Sequence, residues 1–524
     1  MVTPTAAQES CESLKDLKVA DTTITMAKSV VPPVSFPIGL TNKAMITVTL
    51  PFCDVVGTVT PGPDSSIQVE VWLPPASSWN GKLLGTGNGG AGGTIVHGAL
   101  ASGLELGFAT ANTDMGTAGT GESGWGYGMN HPEKANDWVH RATHLMTVFS
   151  KEVIRAYYGR TVQHSYFTGC SAGGHQAITE ARHYPGDYDG IVAGDDAPDK
   201  THLFMIGLWN RLALSKEPDS FIPPSKIPMI HNAVMTACDG LDGLLDGIID
   251  DPRRCHFDPK VLQCVGADGP NCLMAAQVEA LQKLYDGARN PRTHELLFAG
   301  QPPGSELNLS GLATLALAPP SASRPTPVAL SPLNWVFGAT WDSRTFDFDH
   351  DVEVFDAKWA KLFNMNMSPD LSDFEKHGGK IIFFDGWADA LSSPYEMVGW
   401  YESIQRTMGI PEKTTEFARM FVAPGMSHCF GGDGPNVFGQ FGTPTPPKLD
   451  PEHDVLLALD RWVTQGVAPE KIIATKYVNN NPAQGISRTR PLCVYPKVAR
   501  WIGRGSTDDD ANFVCVNPTN GVQP

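Results

Sequence analysis

At 524 residues the chain is too long for one simple core, so two domains, or one large domain with an insertion, are expected. A hydrophobic content of 41% and a charged content of 18% make it globular rather than disordered, and no apolar run approaches the roughly 20 residues of a membrane span. The formal net charge of -17 argues against nucleic acid and anionic membrane surfaces as partners, because both need a basic face.

The first residues, MVTPTAAQES, lack the basic start and apolar stretch of a signal peptide and read as a mature or trimmed N-terminus with an added Met. Alternation over 67–74 predicts a strand, and GKLLGTG predicts a second that runs into glycines. LELGFATANTD reads as helix end, strand and loop, and 137–159 as a long helix closed by Gly159. Strand 163–168, a turn around Ser171, a helix, and a strand in YDGIVAGDDAP follow. Strand and helix in alternation imply a mostly parallel sheet covered on both faces, an α/β fold.

The rhythm breaks from about 199 to 367, where Pro-rich runs, four cysteines and many aromatics replace it. It resumes with strands in GGKIIFFDGWADA and FARMFVAPGMSHC and a helix in PEHDVLLALDRWVTQG. The expected layout is an α/β core of 1–198 and 368–524 interrupted by an inserted domain of 199–367. Residues 480–524 read as polar and irregular.

Ten cysteines stand at 11, 53, 170, 238, 255, 264, 272, 429, 493 and 515. The pairs Cys238 with Cys255, Cys264 with Cys272, and Cys493 with Cys515 each bracket a short loop. This points to an oxidising compartment, and so to a secreted, extracellular or periplasmic protein, although connectivity does not follow from sequence alone. Cys11 and Cys53 complete the even count. Asn308 and Asn366 begin N-x-S sequons.

FTGCSAGGHQA carries the chemistry. Gly169, Ser171 and Gly173 satisfy G-x-S-x-G between a strand and a helix, where a sharp turn lifts a serine out of the sheet. A glycine-rich bend is the bland alternative. A serine nucleophile needs a base and an orienting acid, and in hydrolases of this plan they follow on loops after later strands, acid before histidine. Asp389 and His428 stand in those places and in that order, with Asp385 a rival acid nearer its strand end. His175 reads as a pocket or helix-start residue. If Ser171 and His428 meet, Cys170 and Cys429 are close enough to bond and would staple the two loops together.

GCSAGG, GWADA and GMSHC together resemble the tannase and feruloyl esterase family, which includes hydrolases of mono(2-hydroxyethyl) terephthalate. The resemblance runs from Cys11 to Cys515. It implies an α/β-hydrolase core with a large lid, and an esterase acting through Ser171, His428 and Asp389 on small aromatic esters of hydroxycinnamate, gallate or related benzoates. It also implies an oxyanion hole made by the amides of Gly90 and Ala172. Gly85, Gly87 and Gly90 satisfy G-x-G-x-x-G as well, which leaves a nucleotide-dependent oxidoreductase as an alternative.

CDGLDGLLDGIIDD sets Asp239, Asp242 and Asp246 close together, a crowd that a cation or solvent must relieve. The spacing is not that of an EF-hand, and an exposed acidic loop is the alternative. The resemblance implies one structural calcium ion here, held by those carboxylates and the carbonyls of Leu244 and Ile248, and no organic cofactor. A terephthalate monoester hydrolase is a second esterase reading. Arg324 and Arg344 stand in the insertion but neither marks a carboxylate-binding site, and Ala172 stands where that relative carries a glutamate. An inactive binding protein on the same scaffold is a third reading. Phe204, Leu208, Trp209, Trp335, Phe337 and Trp341 are the apolar residues expected to contact an acyl group.

Overall fold

The structure, a computed structural model, describes residues 10–39, 42–118, 125–215, 217, 219–317, 332–365, 367–409 and 411–518. Arg324 and Asn366 lie outside the described residues.

Nine strands form one sheet: β1 (Thr22–Val30), β2 (Phe52–Val59), β3 (Ile67–Leu73), β4 (Lys82–Thr86), β5 (Ala109–Thr113), β6 (His164–Cys170), β7 (Gly190–Gly194), β8 (Lys380–Gly386) and β9 (Ala418–Ala423). Their spatial order is β1-β2-β3-β5-β4-β6-β7-β8-β9. Neighbours from β1 to β5 pair antiparallel, and the strands from β5 to β9 run parallel. The parallel strands are near-continuous apolar runs because both of their faces are covered. Phe167, Ile191, Ile381 and Phe383 face the side that holds Met146, Ile154 and Ala177. Tyr166, Val192, Ile382 and Phe384 face the other, against Val455, Leu459 and Trp462 of the helix Val455–Gln465.

The long helix expected over 137–159 begins as one π turn, Asp137–Arg141, and continues as an α-helix over Ala142–Tyr158. Gly159 ends it in the left-handed conformation, φ 66°. The chain leaves the sheet at Gly194 and returns at Lys380. The stretch between, within which 199–367 falls, builds helices including Lys200–Ser215, Ile227–Cys238, Ala275–Asp286 and His350–Phe363. It has an apolar cluster of its own around Ile222, Ile230, Leu281 and Leu312.

Two regions depart from expectation. Residues 480–524 are not irregular: Ile486–Cys493 pairs antiparallel with Lys471–Tyr477, and Val498–Trp501 with Phe513–Val516. Their polar, half-exposed faces give little apolar alternation to read. The antiparallel edge formed by β1 and β2, and the hairpin of Val34–Gly39 with Asn42–Val48, also escaped notice because much of β1 is solvent-facing.

All ten cysteines are paired: Cys11–Cys53, Cys170–Cys429, Cys238–Cys255, Cys264–Cys272 and Cys493–Cys515. Among the described residues no helix is long and apolar enough to cross a membrane.

Candidate active site

β6 delivers Ser171 to the start of the helix Ala172–His183, where its backbone is forced to φ 62° and ψ -120°. Few non-glycine residues adopt such a conformation, and it persists only where surrounding contacts impose it. The Ser171 amide donates to the Gly194 carbonyl at 2.9 Å, and the Gly173 amide to the Asn88 carbonyl at 2.8 Å. The motif glycines permit close approach: a Cβ on Gly169 would stand 2.3 Å from the Gly173 carbonyl oxygen. A Cβ on Gly87 would stand 2.5 Å from the Gly173 Cα, so that glycine lets its loop press against the serine turn. The packing explains the G-x-G without a dinucleotide.

The loops after β8 and β9 bring Asp389 and His428 together. His428 Nδ1 lies 2.7 Å from Asp389 Oδ2. The other carboxylate oxygen accepts the amides of Leu391 and Ser392 at 2.7 and 3.2 Å. Both side chains are buried. Burial opposes both charges, yet the two partners overcome it: His428 holds Asp389 below the usual carboxylate range, and Asp389 raises His428 above the usual imidazole value. With Nδ1 engaged, the buried Nε2 has no hydrogen-bond partner among the described residues. Asp385, the rival acid, sits in β8, where its Oδ1 accepts the Gly386 amide at 2.7 Å.

Ser171, His428, Gly90 and Ala172 all line one cavity of about 610 Å³. Gly90 has φ 55°, with open space where a side chain would project. Among the described residues no backbone carbonyl takes the amide of Gly90 or Ala172. His175 does not reach the cavity: it is buried, its ring stacked on Trp138 at 5.2 Å and its Nδ1 3.5 Å from Asp196.

Of the apolar residues expected at the acyl group, Phe204 and Leu208 line the cavity. The others pack elsewhere. Trp209 stands edge-on to Phe348 and donates to the Lys283 carbonyl, Trp335 packs between Tyr127 and Trp359, and Phe337 packs on Trp341. Trp125, Trp138, Leu203 and Arg211 also line the cavity and were missed. The helical spacing of 200, 204, 207 and 211 was the available signal. Arg344 forms an exposed pair with Asp342 in its own turn. Ser392 was missed too. Its hydroxyl donates to Asp389 Oδ2 at 2.6 Å and stands 3.2 Å from His428 Nδ1. Nothing in its local sequence marked it. Asn308 of the first sequon uses its amide to donate to the Ala388 carbonyl at 3.0 Å, tying the insertion to the Asp389 loop.

In the acidic loop Asp239 Oδ1 accepts the amides of Asp246, Gly247 and Ile248 at 3.2–3.3 Å. Asp242 Oδ1 accepts the Leu244 amide at 2.9 Å, and Asp246 Oδ2 meets buried Arg490 at 2.6 Å. Three carboxylates within eight residues, with the carbonyls of Leu244 and Ile248 beside them in the chain, offer hard oxygen donors. That donor chemistry fits calcium.

A mostly parallel sheet of this order, with a serine on a strand-to-helix turn and a His–Asp pair on the loops after later strands, defines a hydrolase of the α/β-hydrolase fold. The comparisons with known proteins carry this further. The chain belongs to the tannase and feruloyl esterase family, whose family model matches residues 53–516. An uncharacterized esterase of Xanthomonas campestris pv. campestris is 37% identical over 100% of this chain and 94% of its own. A probable feruloyl esterase B-2 of Aspergillus flavus is 37% identical over 85% of this chain and 84% of its own. The crystal structure of feruloyl esterase B from Aspergillus oryzae superposes with a TM-score of 0.85 at 30% identity, covering 97% of this chain and 99% of that one.

Proposed function

We propose that the chain is a secreted serine esterase that hydrolyses aromatic carboxylic esters, of the feruloyl or hydroxycinnamoyl and galloyl kind, through Ser171, His428 and Asp389. The observation that carries this reading is the His428–Asp389 pair, whose open Nε2 shares a cavity with Ser171. Ser171 Oγ attacks the ester carbonyl carbon as His428 Nε2 takes its proton. The oxyanion is held by the amides of Gly90 and Ala172. Collapse breaks the acyl–oxygen bond, and His428 returns the proton to the departing alcohol. Water repeats the sequence on the acyl-enzyme and releases the acid. Asp389 fixes the ring with its proton on Nδ1 and stabilises the imidazolium.

Residues 199–367 act as a lid domain over the serine in this reading, with Phe204 and Leu208 contributing apolar wall for a flat aromatic acid. One calcium ion is held by Asp239, Asp242, Asp246 and the carbonyls of Leu244 and Ile248, and it stabilises the insertion. The five disulfides favour an oxidising, extracellular setting. A fluorophosphonate probe tests the nucleophile, since only an activated serine is labelled. Hydrolysis of methyl ferulate, methyl gallate and the terephthalate monoester, compared side by side, tests the acyl group. Absence of labelling at Ser171 in folded protein rejects the esterase mechanism, and preference for the terephthalate monoester rejects the assigned substrate class.

A further inference from the structure

Two aspartates with no role in the mechanism above lie beneath the Asp389–His428 pair. Asp195 follows β7 and Asp385 lies in β8, and both are fully buried. Their Oδ1 atoms accept the same backbone amide, that of Gly386, at 3.0 Å from Asp195 and 2.7 Å from Asp385. Two carboxyl groups drawn to one N–H in a dry site repel each other when both are ionised, and one proton between them relieves the repulsion. Oδ2 of Asp385 has no hydrogen-bond partner among the described residues. On its other side Asp195 reaches the proposed triad. One oxygen each from Asp195 and Asp389 and one ring nitrogen of His428 lie within 4.8 Å of one another. Asp195 is also tightly held. Its backbone has φ 43°, its amide donates to the Phe384 carbonyl at 3.0 Å, and its carbonyl oxygen lies 3.1 Å from the Ser392 hydroxyl oxygen.

We propose that Asp195 and Asp385 share one proton and act as a positioning pair, whose single negative charge, carried towards Asp195, sets the basicity of His428. This rests on the Ser171–His428–Asp389 reading. The charged groups that face the pair are few. Asp389 and His428 come from the loops after β8 and β9. Lys200 acts on His428 from the start of the helix Lys200–Ser215, where it is ion-paired with Asp196, and His175 stands beside Asp196. The sulfurs of the Cys170–Cys429 disulfide lie within 4.8 Å of an Asp195 carboxylate oxygen and do not titrate. Burial and the Asp389 charge push Asp195 up to about 7, and burial and Asp195 push Asp385 well above the carboxylate range. Asp195 joins Asp389 in raising His428 against its burial.

The test is the pH profile of kcat/KM for Asp195→Asn and Asp385→Asn beside the parent. Each asparagine can still accept the Gly386 amide, and its NH2 can donate to the remaining carboxyl, so both shapes are kept. Asp195→Asn removes the charge beside His428 and should move the acidic limb to lower pH by about 1 unit. Asp385→Asn leaves Asp195 ionised and should move that limb to higher pH. A merely structural role would lower kcat in both and move neither midpoint. Unmoved midpoints, or shifts of the same sign, in folded protein overturn the proposal. In case neither variant folds, infrared spectra of the unmodified protein carrying isotope-labelled aspartate serve instead. A protonated aspartate should persist at about pH 9, because burial and the charges of Asp195 and Asp389 hold Asp385 well above the usual carboxylate range. Its absence overturns the proposal. Loss of fluorophosphonate labelling in the parent would mark failure of the triad reading instead, so the two failures are distinguishable.

Discussion

Cys170 and Cys429, 259 residues apart, are joined by a disulfide, and each is the chain neighbour of a residue that lines the cavity, Ser171 or His428. The bond fastens the turn after β6 to the loop after β9. Closing so long a loop stabilises by about 5 kcal/mol in the chain-entropy model. A catalytic effect is separate, because nucleophile and base must be held within about 0.5 Å of their working geometry. Changing both cysteines to alanine should lower kcat under conditions where circular dichroism still reports a folded chain. Unchanged kcat in the folded double variant would limit the bond to stability.

Ser171→Ala should abolish fluorophosphonate labelling and reduce kcat by at least about 10⁴-fold. Asp389→Asn should cost about 10⁴-fold, because an amide cannot hold the ring in the working tautomer. Asp385→Asn should be milder, since Asp385 makes no contact with His428 and bonds the Gly386 amide instead. If Asp385→Asn proves the more damaging change, the acid is misassigned.

The proposed calcium site predicts that a chelator lowers the melting temperature while leaving Ser171 reactive to the probe. An ion that binds only the folded chain stabilises it by RT ln(1 + [L]/Kd). Asp242→Asn should reproduce the loss and make the melting temperature insensitive to added calcium. Superimposable melting curves with chelator and with excess calcium count against the site, provided exchange has been allowed to reach equilibrium.

Much of the fold is legible in the sequence, for identifiable reasons. β6, β8 and β9 are buried on both faces, so each appears as a short apolar run before a small-residue or acidic loop. The residues on those loops follow from strand order. What stayed hidden depends on contacts distant in sequence. Ser392 matters because Asp389, His428 and the Asp195 carbonyl converge on its hydroxyl, and no local pattern encodes that convergence. The aromatics of 335–341 were expected at the cavity because aromatic content does not say which neighbour a ring will find. Trp335 found Tyr127 and Trp359 instead.

That difference separates two groups of substitutions. Phe204→Ala and Leu208→Ala should change the ratio of activities on methyl ferulate and methyl gallate more than activity on a small acetate ester. Trp335→Ala should lower the melting temperature and depress all esters together, because it removes a buried ring whose indole also donates to the Trp125 carbonyl at 2.7 Å. Uniform losses from Phe204→Ala would assign that side chain to folding rather than to substrate choice.

His202 should act as a pH-dependent clasp within the insertion. His202, near the start of the helix Lys200–Ser215, stands 3.0 Å from Asp199 and 2.8 Å from Asp356, which lies on the helix His350–Phe363 near the far end of the insertion. Burial works against the imidazolium, but hydrogen bonds and charge from both aspartates raise it from 6.5 to about 10. A group raised on folding stabilises fully below its unfolded value and loses that contribution as pH rises through its folded value. The stability supplied by His202 is therefore complete below about pH 6.5, declines above it, and is gone beyond about pH 10. His202→Gln keeps most of the shape without the charge. Its melting temperature should lie below that of the parent at pH 6, and the two should converge as the pH approaches 10. A gap between the two proteins that stays constant across this range would mean the ring contributes packing and neutral hydrogen bonds alone. A gap that narrows only below pH 6 would reverse the sign and refute the clasp.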